Sequence, residues 1–325
     1  MKVEKVAKIF QERDNFLIIT HQGPDGDAIG STLGLLELLH SNGKKAEAFF
    51  HEELPKVYTL LPQMSYITAN LPCLSNYNTV ICLDFSNPKR FGDIDLSSFN
   101  TLNIDHHPDN SCFGKENFIF PSAAATAEII YSIAKSIPNW EITHKTATFL
   151  MTGIITDTGG FRFDNTSPHV LKCAAQLLDA GADYNLIINS IFYSKPKNLA
   201  KMESDIILHH IQTAYDGRFV WFYLSDELLD AYGINEKDTE GLIDIIRSLE
   251  GVEIAAIFRR KDEGFRFSLR SKNKAYSVGK IARKLNGGGH ELAAGGFIQT
   301  PYIDEAEKIM LDHVKEELKN QSNRI

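Results

Sequence analysis

Acidic residues and histidines follow four short β-type runs of this chain. Asp105, His106 and His107 come directly after the run 101–104 and are followed by Pro108, so three ionisable groups stand together at a predicted strand end. The other acids and histidines placed in this way are His21, Asp25, Asp27, Asp84 and Asp157. Carboxylates this close together repel one another unless cations hold them ionised, so we interpret the clusters as cation ligands.

Four of these carboxylates and two of the imidazoles fit two adjacent divalent cations that share one carboxylate. Oxygen and imidazole ligands without a thiolate favour Mn²⁺, with Mg²⁺, Co²⁺ or Fe²⁺ as competitors. Two such ions about 3.5–4 Å apart supply a hydroxide nucleophile and stabilise the attacking and leaving oxygens at phosphorus. The predicted chemistry is therefore two-metal hydrolysis of phosphate esters.

The elements that position these clusters alternate between short apolar strands and helices. A strand at 16–20 precedes a helix at about 28–41 and another strand near 45–50. This alternation predicts an α/β domain built on a parallel sheet. Ligands of such sheets bind beyond the carboxyl ends of the strands, so each cluster is expected at a strand tip, the fourth after a strand at 152–155. Asp27 is also a candidate N-cap of the helix.

The length of 325 residues is typical of two domains. We predict a catalytic metal-binding domain at 1–190, a connector helix region at 191–214 and a smaller α/β domain at 215–325. The last of these carries a predicted β-hairpin within 252–270 and a glycine-rich segment at 286–290.

Composition limits the possible partners and compartments. The formal net charge of −8 argues against binding of long duplex nucleic acid, which requires many Lys and Arg contacts to phosphate. The four cysteines show no CxxC spacing, which is typical of reduced thiols in a cytosolic protein. No stretch approaches the roughly 20 apolar residues needed to span a bilayer. We therefore expect a cytoplasmic protein without a membrane partner.

The order of these motifs resembles that of the DHH phosphoesterase superfamily. The motifs that carry the resemblance are 21–31, Asp84, 105–107 and 156–159. The glycine-rich segment 286–290 resembles the signature of the C-terminal domain associated with that superfamily, so the resemblance covers nearly the whole chain. Within the superfamily the chain most resembles the nanoRNases that also dephosphorylate 3′-phosphoadenosine 5′-phosphate (pAp).

This resemblance implies a role for each motif residue. One cation is expected on His21, Asp25 and Asp84, and the other on Asp27, Asp84, His106 and Asp157, with Asp84 as the bridge. Asp105 is expected to orient a histidine, and His107 to face the scissile phosphate or the leaving group. The residues expected to bind substrate are Ser268, Arg270, Gly288, Gly289 and His290. The active site is expected in the cleft between the two domains, and roles for Arg90 and Arg162 stay open.

The implied substrates are single-stranded RNA or DNA oligonucleotides of about two to five nucleotides, cleaved to mononucleotides, and pAp, converted to AMP. A homodimer is implied as well. Hydrolysis of cyclic dinucleotides or of linear pApA and pGpG is an alternative. A catalytically inactive nucleotide-binding regulator is another, although it would be expected to lack a metal ligand and all six candidates are present. Inorganic pyrophosphatases share the first domain's motifs but lack the triple glycine.

Overall fold

The computed structural model describes residues 2–59, 61–62, 67–68, 70–239 and 241–322. The chain divides into two compact units, one that ends at Ser194 and one that begins at Lys195. This division falls inside the predicted connector 191–214. Within the described residues, no helix combines the length and the apolar character that crossing a bilayer requires.

The first unit is a parallel sheet with helices packed against it. Its strands are β1 (Phe16–Ile19), β2 (Ala46–Phe49), β3 (Ile67–Thr68), β4 (Thr79–Leu83), β5 (Thr101–Asp105) and β6 (Glu116–Ile119). Its helices are α1 (Lys2–Glu12), α2 (Gly26–Ser41), α3 (Thr126–Ser136), α4 (His144–Asp157), α5 (Pro168–Asp179) and α6 (Tyr184–Phe192), with 3₁₀ turns at Lys56–Tyr58, Leu74–Asn76 and Pro88–Phe91. The strand order is β3-β2-β1-β4-β5-β6, and each neighbouring pair is parallel. The predicted α/β class with a parallel sheet is confirmed.

The central strands are buried on both faces of this sheet. In β1, Phe16 and Ile18 enter one apolar cluster, while Leu17 and Ile19 enter another on the opposite face. A strand covered on both faces needs apolar residues at every position, which explains the unbroken apolar run in the sequence. The strand order reverses between β1 and β4, and ligands bind at the carboxyl ends beside such a switch point.

Helix α2 starts two residues before its predicted start. Its N-cap is Asp25, whose carboxylate accepts hydrogen bonds from the backbone N–H groups of Asp27 and Ala28. The prediction that Asp27 caps this helix is therefore wrong, because Asp27 already lies in the first helical turn. Along the helix, a β-carbon added at Gly30 would lie 2.5 Å from the backbone nitrogen of Gly153 in α4, so glycine permits close packing of the two helices.

The fourth acidic cluster ends a helix, and its predicted strand at 152–155 is wrong. That run belongs to α4, which begins after the N-cap Thr143 and ends at Asp157. The helix is buried around its whole circumference between residues 146 and 155, so it lacks the amphipathic period of a surface helix. A short apolar run of this kind is ambiguous between buried strand and buried helix.

The second unit is a mixed sheet with helices. Its strands are β7 (Gln212–Ala214), β8 (Phe219–Leu224), β9 (Ile254–Lys261), β10 (Gly264–Ser271), β11 (Gly288–Gly289) and β12 (Ala293–Ile298), in the order β11-β12-β10-β9-β8-β7. Its helices are α7 (Lys197–Asp205), α8 (Asp226–Tyr232), α9 (Leu242–Arg247), α10 (Val278–Lys284) and α11 (Ile303–Ser322), with a π-helical turn at Ile206–His210 and a 3₁₀ turn at Glu236–Asp238. β8 and β9 are parallel, and the other neighbouring pairs are antiparallel.

Candidate metal centre

The structure brings the predicted ligands of the first unit together in two groups. His21, Asp25 and Asp84 form one group, and Asp27, His106 and Asp157 form the other. Within each group the potential ligand atoms lie within 4.8 Å of one another. The residues come from the ends of β1, β4, β5 and α4 and from the start of α2, so the topology rather than the local sequence assembles them.

His21 presents an unsatisfied nitrogen to the first group. Its Nδ1 lies 2.8 Å from the backbone oxygen of Gln22, while its buried Nε2 has no hydrogen-bond partner among the described residues. Burial, with a further contribution from the nearby Arg90 charge, lowers the pKa of His21 to about 4. The ring is therefore neutral at pH 7, with a lone pair on Nε2, which is the form that binds a metal.

His106 occupies the centre of the second group. Its Nε2 lies 3.6 Å from Asp84, 3.7 Å from Asp157 and 4.0 Å from Asp27, measured to the nearest carboxylate oxygens. These distances are too long for hydrogen bonds. They are close to the separation of about 3–4 Å between atoms that share a cation with bonds near 2.1 Å. The 3.6 Å contact also links Asp84 to this group, as a bridging ligand requires.

Asp84 is buried in an unfavourable backbone conformation and an unfavourable electrostatic environment. It is buried, and its φ of 62° lies in the left-handed region that side chains other than glycine rarely adopt. Burial, followed by the charges of Asp27, Asp25, Asp105 and Asp157, raises its pKa well above the ordinary value. Burial also raises the pKa of Asp27 to about 6, although His106 opposes that shift. Divalent cations would remove this repulsion and keep both groups ionised.

The carboxylate of Asp105 contacts the ring of His107 rather than the ring of His106. One carboxylate oxygen lies 2.7 Å from Nδ1 of His107 and accepts the backbone N–H groups of His106 at 2.8 Å and His107 at 3.2 Å. The other oxygen accepts the side-chain amide of Asn110 at 2.6 Å. The ring of His106 is instead oriented by the backbone oxygen of Ala123, 3.3 Å from Nδ1. The histidine that Asp105 orients is thus the one predicted to meet the phosphate.

The start of α3 supports the centre and was not indicated by the sequence. Asp27 accepts the backbone N–H groups of Thr126 at 2.6 Å and Ala127 at 3.0 Å, so it satisfies the free donors of that helix. The hydroxyl of Thr126 donates to Asp84 at 2.9 Å. The side-chain amide of Asn165 donates to the backbone oxygen of Asp157 at 3.0 Å. These residues carry no sequence signal because they act through backbone groups or through common polar side chains.

The predicted substrate residues lie on β10, on the edge strand β11 and directly after β11, and β12 separates the two strands. Ser268 and Arg270 are two residues apart on β10, so their side chains share one face. Arg266 lies on the same face and is paired with Arg259 of β9, so three arginines accompany Ser268 there. Every second residue of a strand points to the same face, so the sequence spacing from Ser268 already indicates that Arg266 lies on this face.

Gly288 and Gly289 form β11, which pairs with β12 in register Gly288–Gly295. Gly289 has a φ of 124°, a conformation that favours glycine. The N–H groups on either side of β11 are used inside the protein, because Gly287 donates to Ala282 and His290 donates to Ala293. Phosphate contacts of Gly288, Gly289 and His290 stay a prediction from the resemblance.

The sequence pattern of the DHH family, N-terminal domain, matches residues 15–154, and that of the DHHA1 domain matches residues 216–320. The chain belongs to the DHH family.

Two relatives are similar over nearly the whole chain. A protein of Thermus thermophilus named bifunctional oligoribonuclease and PAP phosphatase NrnA is 34% identical, covering 98% of this chain and 94% of the relative. A protein of the same name from Bacillus subtilis is 29% identical, covering 96% and 97%. The crystal structure of an exopolyphosphatase-related protein from Bacteroides fragilis superposes with a TM-score of 0.85 at 24% identity, covering 99% of this chain and 97% of that one. This likeness supports the fold.

Proposed function

We propose that this chain is a two-metal phosphoesterase that hydrolyses oligonucleotides of about two to five nucleotides to mononucleotides and dephosphorylates pAp to AMP. The observation that carries the proposal is the 34% identity, over nearly the full chain, to a relative whose name states both activities. The two ligand groups around Asp84 support the same chemistry, because paired divalent cations are an established solution to phosphoryl transfer.

The donor set fits two cations. The unsatisfied Nε2 of His21 and the raised pKa of Asp84 are both explained by cations bound at these groups. One cation would be held by His21, Asp25 and Asp84, and the other by Asp27, Asp84, His106 and Asp157. Their carboxylate and imidazole atoms favour Mn²⁺ over softer ions. When bound, the cations would activate a water molecule and stabilise negative charge at phosphorus.

The protein's own groups position the reactants and move a proton. Asp105 fixes the Nδ1 side of His107, so in the doubly protonated ring the opposite nitrogen, Nε2, is the one that donates a proton to the leaving oxygen, which leaves a neutral ring. Thr126 anchors one oxygen of Asp84 and thereby orients the proposed bridging carboxylate. In the second unit, Arg270 and Ser268, with Gly288, Gly289 and His290, are proposed to bind a substrate phosphate.

The proposal is tested with a substrate panel and Mn²⁺. Purified protein is offered pAp, RNAs of two to five nucleotides, a 24-nucleotide RNA, pApA, pGpG, a cyclic dinucleotide and pyrophosphate. We expect fast turnover of pAp and of the short RNAs, among which pApA and pGpG count as dinucleotides, and slow turnover of the 24-nucleotide RNA, the cyclic dinucleotide and pyrophosphate. Equal rates on long and short RNA, or a preference for the cyclic dinucleotide, would contradict the proposed substrate class.

A pair of aspartate variants tests the metal assignment. We expect Asp84→Ala to lower turnover by at least about a hundredfold, since even groups that only support metal ligands contribute about 10–100-fold. Asp93→Ala, at an exposed position nearby in the sequence, is the matched control and should retain activity. Retained hydrolysis in Asp84→Ala would refute the bridging assignment.

The compartment and the assembly state form a separate part of the proposal. All four cysteines are free thiols, and two of them, Cys73 and Cys112, are exposed, which supports a reducing compartment such as the cytoplasm. A homodimer stays a prediction from the resemblance. Light scattering of the purified protein would decide between a monomer and a dimer.

A further inference from the structure

A second group of potential metal ligands lies outside the centre described above. Glu128 belongs to α3, whereas His169 and Cys173 are four residues apart on α5 and therefore share one face of that helix. Nδ1 of His169 lies 2.6 Å from a carboxylate oxygen of Glu128 and 3.6 Å from the sulfur of Cys173. The three potential ligand atoms lie within 4.8 Å of one another. We call this group the thiol site.

Helix capping accounts for only one of the two carboxylate oxygens of Glu128. One carboxylate oxygen accepts the backbone N–H of Ala124 at 2.6 Å, as expected for an acid in the first turn of α3. The other oxygen is turned towards His169 and Cys173. Glu128 and Cys173 are buried, whereas the side chain of His169 is 65% exposed, so the site has one open side towards solvent.

The geometry does not fit a nucleophilic cysteine. In a catalytic thiol relay, one imidazole nitrogen faces the sulfur and the other faces the carboxylate. Here the same nitrogen, Nδ1 of His169, faces both the sulfur of Cys173 and the carboxylate of Glu128. Three different ligand atoms that converge on one point are instead the arrangement that a cation requires.

We propose that the thiol site binds Zn²⁺ or a cation of similar softness through Glu128, His169 and Cys173. Zinc accepts sulfur, nitrogen and oxygen ligands in tetrahedral geometry, and a water molecule on the open side would complete the set. With bonds of about 2.3 Å to sulfur and 2.05 Å to nitrogen, tetrahedral geometry places these two atoms about 3.6 Å apart. The observed separation already has this value. The oxygen and nitrogen would need to separate by only about 0.8 Å.

Cation binding would ionise the thiol and release one proton to solvent. Burial, with a further contribution from Glu128, raises the pKa of Cys173 to about 12, so the thiol is protonated at neutral pH without a cation. The sulfur ligand makes this site chemically different from the centre around Asp84, whose potential ligand atoms are only oxygen and nitrogen. A cation here would tie α3 to α5 beside the turn that binds Asp27.

Cobalt titration of the full chain tests this proposal. A thiolate bound to Co²⁺ gives a sulfur-to-metal charge-transfer band in the near ultraviolet, which oxygen and nitrogen ligands do not give. We expect metal-stripped protein to develop this band to the intensity of one thiolate-bound Co²⁺ per chain, in addition to any Co²⁺ bound around Asp84, and Zn²⁺ to abolish it. Cys173→Ser should lose the band, while Cys73→Ser and Cys112→Ser, which remove the two exposed thiols, should retain it.

A second variant keeps the test valid if Cys173→Ser folds poorly. His169→Ala changes a largely exposed side chain, and we expect it to weaken Co²⁺ binding at the thiol site by about tenfold or more. A titration that gives no charge-transfer band would overturn the proposal. So would a band that persists in Cys173→Ser, or an unchanged Co²⁺ affinity in His169→Ala. None of these outcomes depends on phosphoesterase activity.

Discussion

Replacement of Asp105 by asparagine is expected to separate a catalytic from a structural contribution of one buried carboxylate. An asparagine can keep the oxygen that faces Nδ1 of His107, but it presents an N–H group where Asp105 accepts the amide of Asn110 at 2.6 Å. Asn110 cannot simply turn over, because its own oxygen accepts the amide of Asn103 at 3.0 Å and the backbone N–H of Cys112 at 2.7 Å. Two donors would therefore face each other.

The expected loss of stability is large. Burial alone raises the pKa of Asp105, but the hydrogen bond and charge of His107, followed by the bond from Asn110, lower it to about 2. Loss of the charge-assisted bond costs about 1.5–3 kcal/mol, and a buried donor left unsatisfied costs about 1–3 kcal/mol. We expect the free energy of unfolding of Asp105→Asn to fall by roughly 3–5 kcal/mol. We expect turnover of pAp to fall by about 10²–10⁴, because His107 loses the anion that orients it.

A compensating variant distinguishes the two effects. Addition of Asn110→Asp to Asp105→Asn supplies an acceptor opposite the new N–H group, while the aspartate still accepts the bonds from Asn103 and Cys112. The double variant should recover about 1–3 kcal/mol of stability. Turnover should stay low, because no charge returns to the position beside His107.

The assay combines urea unfolding, turnover of pAp with Mn²⁺ and the metal content of each variant. Equal slopes of the unfolding curves are needed before the midpoints are compared as stabilities. Metal content should be unchanged, since Asp105 is not among the proposed ligands. Turnover that recovers together with stability would refute a catalytic contribution of Asp105, and so would wild-type turnover in the single variant.

Three further predictions concern the cations, the helix contact and the arginine face. In metal-free protein, the pKa of Asp27 is raised from 3.8 to about 6, so its contribution to stability is present below pH 3.8 and is lost as pH rises through about 6. Calorimetry should therefore show a larger rise of Tm on addition of Mn²⁺ near neutral pH than near pH 4; an equal rise would contradict this. Gly30→Ala places a methyl group against backbone atoms of α4 and should lower the free energy of unfolding by about 1–3 kcal/mol. Gly34→Ala meets the flexible side chain of Leu150 and should cost less. The reverse order in urea unfolding would count against tight α2–α4 packing. Arg270→Ala should raise KM for pAp at least about tenfold, as expected for loss of a charged phosphate contact. Arg260→Ala is the control and should leave KM unchanged, because the Arg260 guanidinium lies over the Phe265 ring. Equal effects of the two variants would reject the face of β10 that carries Ser268 and Arg270 as the phosphate-binding face.

The first unit's sheet could be predicted from the sequence because its strands are buried on both faces and read as unbroken apolar runs. The same property made α4 unpredictable. The run 152–155 is as apolar as a central strand, and its helix has no polar face because it packs between other elements. Asp157, which follows the run, nevertheless lies beside Asp27 and His106, since the end of α4 lies beside the start of α2. The proposed ligand therefore lies near the others although the element that carries it is a helix and not the predicted strand.

The contacts that orient the ligands could not be predicted, and Asp25 and Asp27 illustrate the reason. The two acids are separated by one glycine, yet they enter different ligand groups. Asp25 precedes α2 and turns back to accept its first N–H groups, whereas Asp27 lies inside the helix and points across to the N-terminus of α3. A sequence shows that both acids are present, but the free donors that select their directions belong to a helix that starts 99 residues later than Asp27. A change that removes the N–H of Ala127 but keeps the Thr126 hydroxyl on Asp84 should therefore weaken the group of Asp27 while leaving the group of His21 and Asp25 unchanged.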